Sequence, residues 1–551
     1  MAATTLHIPK WTKYVVTELG GRDPLGLSSV AYMIAGYLLH GITSTTGRAR
    51  YYSFYPWVLR HVEKTEDPVR REDFVKAFGR REVFLALTTL HNRFDSESVA
   101  GAERVRPKLT HFKDTGEVDT SMRLLQDRMG GYGQYYGGSL YALGLTHRTE
   151  DGIDRTAPGP GEALAEAFEH SVAHTPYLKR VQYQERIIPF RLIEKSAQAF
   201  SLDSLDEEAA AGERTLLRNL FFGWDTPNPS HANILQRHTL GLILHIVSEY
   251  GKARIKAYES DTYLVYPAYY YGVLLTDNAI HAPYTPPDVL APCYGFWQQF
   301  CLHEFLTQAL EKLLSCILEV VNLQPSGIPL ADVSAVLSGD EFRESLTERF
   351  GAGSRPAELL ASLGMRAVPD DLACDEARKK IDIDSPKSEW ELLNLNGSPS
   401  KVAAAAVGIL AVLYGKWRGG QNEFARYIGI QANSNLWFGE VLPALDDWLN
   451  PTLDWTTALI SFLERFVLDQ HDRVMYGKGR LDSCWLHRLD GKVYKDQDYR
   501  PVFRASRHWN CVRILRDLGL VDYASDNSLY VTTDGRRELN RILKSDGTPK
   551  Q

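Results

Sequence analysis

The sequence predicts a mainly α, multi-domain protein with a C-terminal winged helix, an α element carrying a small β wing. Three observations predict this. Apolar residues recur at intervals of three and four along most of the chain. Its 551 residues exceed what one compact core accommodates. From about 500 to 545 the pattern changes to helix, strand, turn, strand, helix.

The helical segments follow in order. Residues 28–40 (SSVAYMIAGYLLH) begin with serines suited to capping, and 72–91 (EDFVKAFGRREVFLALTTLH) repeat apolar positions one helical turn apart. Residues 162–174, 234–250, 297–322, 402–415 and 455–468 behave alike. Polar or Pro/Gly-rich breaks fall near 94–120, 147–161, 277–292 and 352–400. They divide the chain into a helical N-terminal domain (1–150), a helical middle domain (151–350), a linker-like region (351–400) and a helical C-terminal region (401–551). In that last region SRHWNCVRILRDLG places Val512, Leu515 and Leu518 on one helical face. LGLVDYA, the polar tip SDNS and LYVTT then read as a hairpin, and DGRRELNRIL as a helix entered through a capping Asp.

Composition limits the function classes. Hydrophobic residues at 44% and charged residues at 24% exclude large-scale disorder. The opening MAATTLHIPKWTKYVV has polar breaks and a lysine where a signal peptide needs an apolar stretch. The longest apolar runs, VAYMIAGYLL and VAAAAVGILAVLYG, fall short of the ~18 residues of a membrane span, so they are expected to be buried helices of a cytoplasmic protein. Cys293, Cys301, Cys316, Cys374, Cys484 and Cys511 are dispersed without a CxxC pair, which points to a reducing compartment and no structural zinc. Net charge is -7, yet residues 471–551 hold sixteen Lys/Arg against eleven Asp/Glu, a net +5. That asymmetry suits a terminal module with an anionic partner and also an ordinary solvated face.

The stretch GITSTTGRARYYSFYPW (41–57) superficially resembles a phosphate-binding loop. That loop needs GxxxxGK[ST] between a strand and a helix. Here five residues separate the glycines, Arg48 stands at the lysine position, Ala49 at the hydroxyl position, and a helix precedes it. Nucleotide hydrolysis is therefore excluded, and no cofactor is assigned. Arg48 and Arg50 beside Tyr51, Tyr52 and Tyr55 offer cations and rings to a nucleic acid. The competing reading is a capped turn between two apolar helices, with both arginines paired to local carboxylates. In the winged helix, Arg504, Arg507, His508, Asn510 and Arg513 are the candidates for DNA contact, with Arg536 and Arg537 beyond the wing as phosphate contacts.

Catalytic and metal patterns are sparse. His170 and His174 lie one helical turn apart near Glu166 and Glu169, but HxxxH without a third ligand is a chance spacing. His303-Glu304 and the set His238, His245, Glu249 have the same standing, so no metal is assigned. The densest polar cluster is His471, Asp472, Arg473, Lys478, Arg480, Asp482, Cys484 and His487. It supports an alternative function, a hydrolase or nuclease of unfamiliar type, against the simpler expectation of an ion-paired linker.

The run DPLGLSSVAYMIAGYLLHGITSTTGRARYYSFYPWVLR (23–60) with QYYGGSLYALGLT (134–146) resembles an uncharacterised bacterial family, a domain of unknown function found in variable and defence islands near helicase and nuclease genes. The resemblance spans mainly residues 23–146. It implies one component of a multi-protein system, in anti-phage defence or mobile-element maintenance, and carries over no catalytic residue. Together these features predict a non-enzymatic, DNA-associated or adaptor component whose partners are DNA, other proteins of the same system, or both, with no membrane contact.

Overall fold

The computed structural model describes residues 23–545 apart from 67–69, 151, 227, 251–260, 276–280, 366–370, 419–425, 427, 430–434 and 479–483. The protein is mainly helical, with 64% helix and 7% strand. Contacts divide it into two discontinuous units, one of residues 1–31 with 303–503 and one of residues 32–302 with 504–551. The division differs from the four consecutive segments predicted. Apolar periodicity marks helices but not which remote segments share a core. The expected linker at 351–400 also contains helices, Pro356–Ser362, Asp371–Lys380 and Glu389–Leu393.

The first unit is built on the helix Pro399–Trp417, the predicted apolar run. Ser398 caps it by accepting from the Lys401 amide, and Pro399 occupies a first-turn position that needs no amide donor. By length and composition it could cross a membrane, yet 83% of its apolar window is buried within the structure. Asp340–Phe350, Asp371–Lys380 and Glu389–Leu393 pack on it. Near its end Lys416 pairs with Glu389 at 2.9 Å, both side chains almost wholly buried. A three-stranded antiparallel sheet, in the order Ile328–Pro329, Lys492–Lys495, Leu486–Leu489, completes the unit.

In the second unit the helix Tyr51–Glu66 packs on Pro160–Val172, and Arg71–Asn92 packs on Phe190–Phe200. The aromatics that close the opening motif form the core here. Tyr51, Tyr52, Phe54, Tyr55 and Trp57 are each at most 1% exposed. Tyr51 stacks on Tyr55 at 5.0 Å, and Tyr136, Phe168 and Phe221 close around them. Rings of this size remove large apolar areas from water and gain further from edge and stacked geometries. The same motif accounts for two glycines. Gly41 takes a left-handed φ of 76°. A Cβ on Gly47 would stand 2.6 Å from Asn510 Oδ1, so only glycine admits that side chain.

The C-terminal expectation is met locally. The helix His508–Asp517, strands Val521–Tyr523 and Leu529–Val531, and the helix Thr533–Lys544 follow in order, with Val521 opposite Val531 and Tyr523 opposite Leu529. Thr532 caps the last helix through the Gly535 amide. A winged-helix domain is not shown. Among the described residues no helix lies between Lys478 and His508, so the helix that would pair with His508–Asp517 inside such a domain is missing from the preceding chain. Both C-terminal helices pack instead on His231–Tyr250.

A buried carboxyl links these aromatics to the MGGYGQYYGG segment. Glu82 is 2% exposed, and its Oε1 accepts from Tyr55 Oη and the Gly131 amide, both at 2.8 Å. A Cβ on Gly130 would come within 1.8 Å of Oε2. Burial pushes the Glu82 carboxyl up from 4.5 to about 7. The folded chain therefore keeps a proton that the unfolded chain has lost, and this stabilisation, complete below about pH 4.5, disappears as pH rises through 7. Glu82→Gln is expected to remove roughly 3 kcal/mol of pH-dependent stability across that interval. Urea titrations of both proteins at several pH values check it; parallel curves would show that Glu82 does not titrate in this range.

Candidate nucleic-acid interface

The candidate DNA contacts separate into two groups. Arg48 is 4% exposed and Arg50 is fully buried. Arg48 Nε donates to Asp517 Oδ2 at 3.0 Å and Nη2 to Asp203 Oδ1 at 2.8 Å. Its Nη1 donates to Ser96 Oγ and the Glu97 carbonyl, both at 3.0 Å. Arg50 forms a two-pronged pair with Glu213 at 3.2 and 3.1 Å and donates to the Ala199 and Ser201 carbonyls. Ser53 and Ser171 donate to the same carboxylate. The nucleic-acid reading of Arg48 and Arg50 is thus corrected: both cations are consumed inside the fold, by carboxylates remote in sequence rather than by the local ones that the capped-turn reading expects.

The helix His508–Asp517 likewise presents its first turn inward. Arg507 donates to the Ile42 carbonyl at 2.8 Å, and Asn510 donates to the Thr43 carbonyl at 2.7 Å. His508 is fully buried, with Tyr269 Oη 3.0 Å from Nε2 and the Trp297 ring 4.5 Å away. Arg504 is 5% exposed. Arg513 lies over the Trp509 ring at 4.0 Å and pairs with Glu97 at 2.5 Å. The expected readout by Arg504, Arg507, His508, Asn510 and Arg513 is therefore corrected, because Arg507, His508, Asn510 and Arg513 bond within the protein and Arg504 is buried. The sequence pattern was that of a recognition helix, but polar residues at a helix start serve equally well to satisfy the carbonyls of a neighbouring loop.

Arg536 and Arg537 face solvent on the last helix. Arg541 and Lys544 follow Arg537 at four and seven residues, which sets the three on one face. The helix carries four cations against Asp534 and Glu538. Arg537, Asn540, Arg541 and Lys544 line an open hollow of about 600 Å³ with Trp224. Arg541 and Arg237 each lie 4.0 Å from the Trp224 ring centre, and the indole donates to Glu538. Arg237 is 8% exposed and donates to the Phe222 and Gly223 carbonyls. Burial and then the neighbouring Arg541 charge push it down. The hollow holds more positive charge than its carboxylates neutralise. Arg541 and Lys544 could have been read from the spacing beyond Arg537; Trp224 and Arg237 are remote in sequence and only packing brings them here.

The polar cluster of the first unit resolves into ion pairs. His471 is fully buried, and its Nδ1 lies 3.4 Å from Asp472. Asp472 accepts from Arg488, which also reaches Asp469 at 2.7 Å. His487 is held by Asp496 at 2.9 Å and stacks on Tyr494. Lys478 donates to the Asp23 carbonyl, and Arg473 is exposed. Cys484 is buried. Arg480 and Asp482 lie outside the described residues. Among the described residues no group of three or more His, Cys, Asp or Glu is arranged to hold a metal ion; His170 and His174 are exposed, while Glu166 and Glu169 pair with Arg60.

No protein-family model matches the chain, and no curated protein or solved structure matches it.

Two outcomes test these placements. Arg48→Met leaves Asp203 and Asp517 without their cation and is expected to cost about 3–5 kcal/mol in urea unfolding, with partial recovery on adding Asp517→Asn. An equal loss in the double variant would show that the cost is not electrostatic. In acid, burial holds His61, His238 and His508 down from 6.5 to about 3, about 4 and about 3. The unfolded chain takes up these protons first, so stability is expected to fall as pH drops below 6.5. Thermal unfolding followed by circular dichroism should show that loss, and a shallower one in His508→Gln.

Proposed function

We propose that this chain is a non-enzymatic component of a multi-protein bacterial system that binds DNA through the basic face of its last helix. The observation that carries the reading is the solvent-facing set Arg536, Arg537, Arg541 and Lys544, of which the last three line an open hollow with Trp224, whose ring Arg237 also approaches. Cations spaced along one helix face suit successive phosphates, which fix position without reading sequence. Two arginines already lie against the Trp224 ring, so the surface favours backbone charge over base stacking. The resemblance of residues 23–146 to a family of defence islands supports a role beside enzymes of the same system, in anti-phage defence. The commitment of His471, Asp472, Cys484 and His487 to packing and ion pairs favours a non-enzymatic component over the hydrolase or nuclease alternative.

Fluorescence polarisation of the full chain with a duplex across a salt series tests the reading. Contact with two or more phosphates gives a slope of about -2 or steeper in log affinity against log salt. Arg537→Glu with Arg541→Glu is expected to weaken binding for every sequence and to flatten the slope by about 2. No binding at ~50 mM salt would overturn the DNA reading, and capture of an acidic protein surface by the same face would replace it with the adaptor form.

A further inference from the structure

The hollow at the last helix holds a tryptophan whose ring is covered by charge. Trp224 is half-buried and follows Gly223, which takes a left-handed φ of 63° and ends the helix Ala211–Phe222. The Trp224 amide donates back to the Asn219 carbonyl at 3.0 Å, and its indole N–H donates to Glu538. Backbone and side chain are both tied, so the ring is held at the hollow and does not turn away from it.

An aromatic ring in the wall of an open basic hollow is an arrangement on which unpaired bases stack. Here Arg237 and Arg541 each lie 4.0 Å from the ring centre. At that distance one ring face has room for one guanidinium, so the two take opposite faces, each a cation over a π-surface. Arg237 is 8% exposed and is fixed by the Phe222 and Gly223 carbonyls, which makes its face the inner one. Arg541 is exposed and covers the outer face. Among the described residues no carboxylate pairs with Arg541, because Asp534 is engaged by Arg218 and Arg537, each at 3.0 Å, and Glu538 by the indole. Burial, and next the Arg541 charge, push Arg237 down, as two cations on one ring require.

We infer that Arg541 is a specificity-determining residue of this surface: by covering the outer face of Trp224 it denies the ring to unpaired bases and confines the hollow to the phosphate backbone. The inference rests on the reading of this face as a DNA surface and adds the form of DNA to it. Duplex and single strand are bound through their phosphates, and the single strand gains nothing from stacking.

Fluorescence polarisation of the full chain at ~50 mM salt would compare a thymidine oligonucleotide of about 15 nucleotides with a duplex of the same length. The wild-type chain is expected to favour the duplex, whose phosphates are more closely spaced. Arg541→Ala, at an exposed helix position, removes one phosphate contact from both ligands but uncovers the ring for the single strand alone. The ratio of single-strand to duplex affinity is therefore expected to rise about fivefold or more. Lys544→Ala removes a cation without uncovering the ring and is expected to weaken both ligands equally. Adding Trp224→Leu to Arg541→Ala is expected to return the ratio to its wild-type value. The DNA reading is tested by wild-type duplex binding and the role of Arg541 by the ratio, so the two fail separately. Wild-type binding to neither ligand overturns both; duplex binding with a ratio that Arg541→Ala leaves unchanged, or a wild-type preference for the single strand, overturns the role of Arg541 alone.

Discussion

A single guanidinium, that of Arg48, joins four stretches of the second unit that are far apart in sequence. Its nitrogens reach the 96–97 loop, Asp203 and Asp517, while the following amide, that of Ala49, donates to the same Asp517 oxygen at 2.9 Å. Two residues on, Arg50 performs the same task with Glu213, Ser171 and the carbonyls of 199 and 201. Charges buried this deeply are tolerated only when the remaining donors and acceptors are satisfied, and here almost all are. The exception is Asp203 Oδ2, which is shut off from solvent without a hydrogen-bond partner.

That network explains why the C-terminal segment cannot work as a free-standing reading head. The helix His508–Asp517 contributes Asn510 to the Gly41–Gly47 loop at one end and Asp517 to Arg48 at the other. Releasing it would strand several buried polar groups, each costing about 1–3 kcal/mol. What remains outward from the C-terminal segment is the last helix, whose apolar residues Leu539 and Ile542 are buried while its arginines stay in water. The hollow beside this helix is lined by Arg537, Arg541 and Lys544, whereas a cleft lined by Arg48 holds more carboxylates than arginines.

The first unit shows a different economy of burial. Its core helix Pro399–Trp417 is rich in alanine, so neighbouring helices approach closely, and a Cβ on Gly408 would stand 3.0 Å from the Phe350 ring. Near the hairpin, the strand Leu486–Leu489 is tied to the helix Asp469–Lys478 by pairs of Arg488 with Asp469 and Asp472. Those pairs are partly exposed, so each contributes little beyond orientation.

Much of the local structure was legible in the sequence. The helices at 28–40, 72–91, 234–250 and 402–415, the hairpin tip at SDNS and the joint character of GITSTTGRARYYSFYPW follow from periodicity, capping residues and turn chemistry, which act over a few residues. Arg536 and Arg537 were legible as exposed cations for the same reason. The inward fate of Arg48, Arg50, Arg507, His508 and Asn510 was not. A basic or polar side chain is compatible with solvent, phosphate or a buried carboxylate, and the choice depends on partners hundreds of residues away, such as Asp517 for Arg48 and Thr43 for Asn510. Sequence determined the helices, their caps and the surplus of cations at the end of the chain. Tertiary structure decided which charges are spent inside and which surfaces remain, because pairing energies depend on distance in space rather than along the chain.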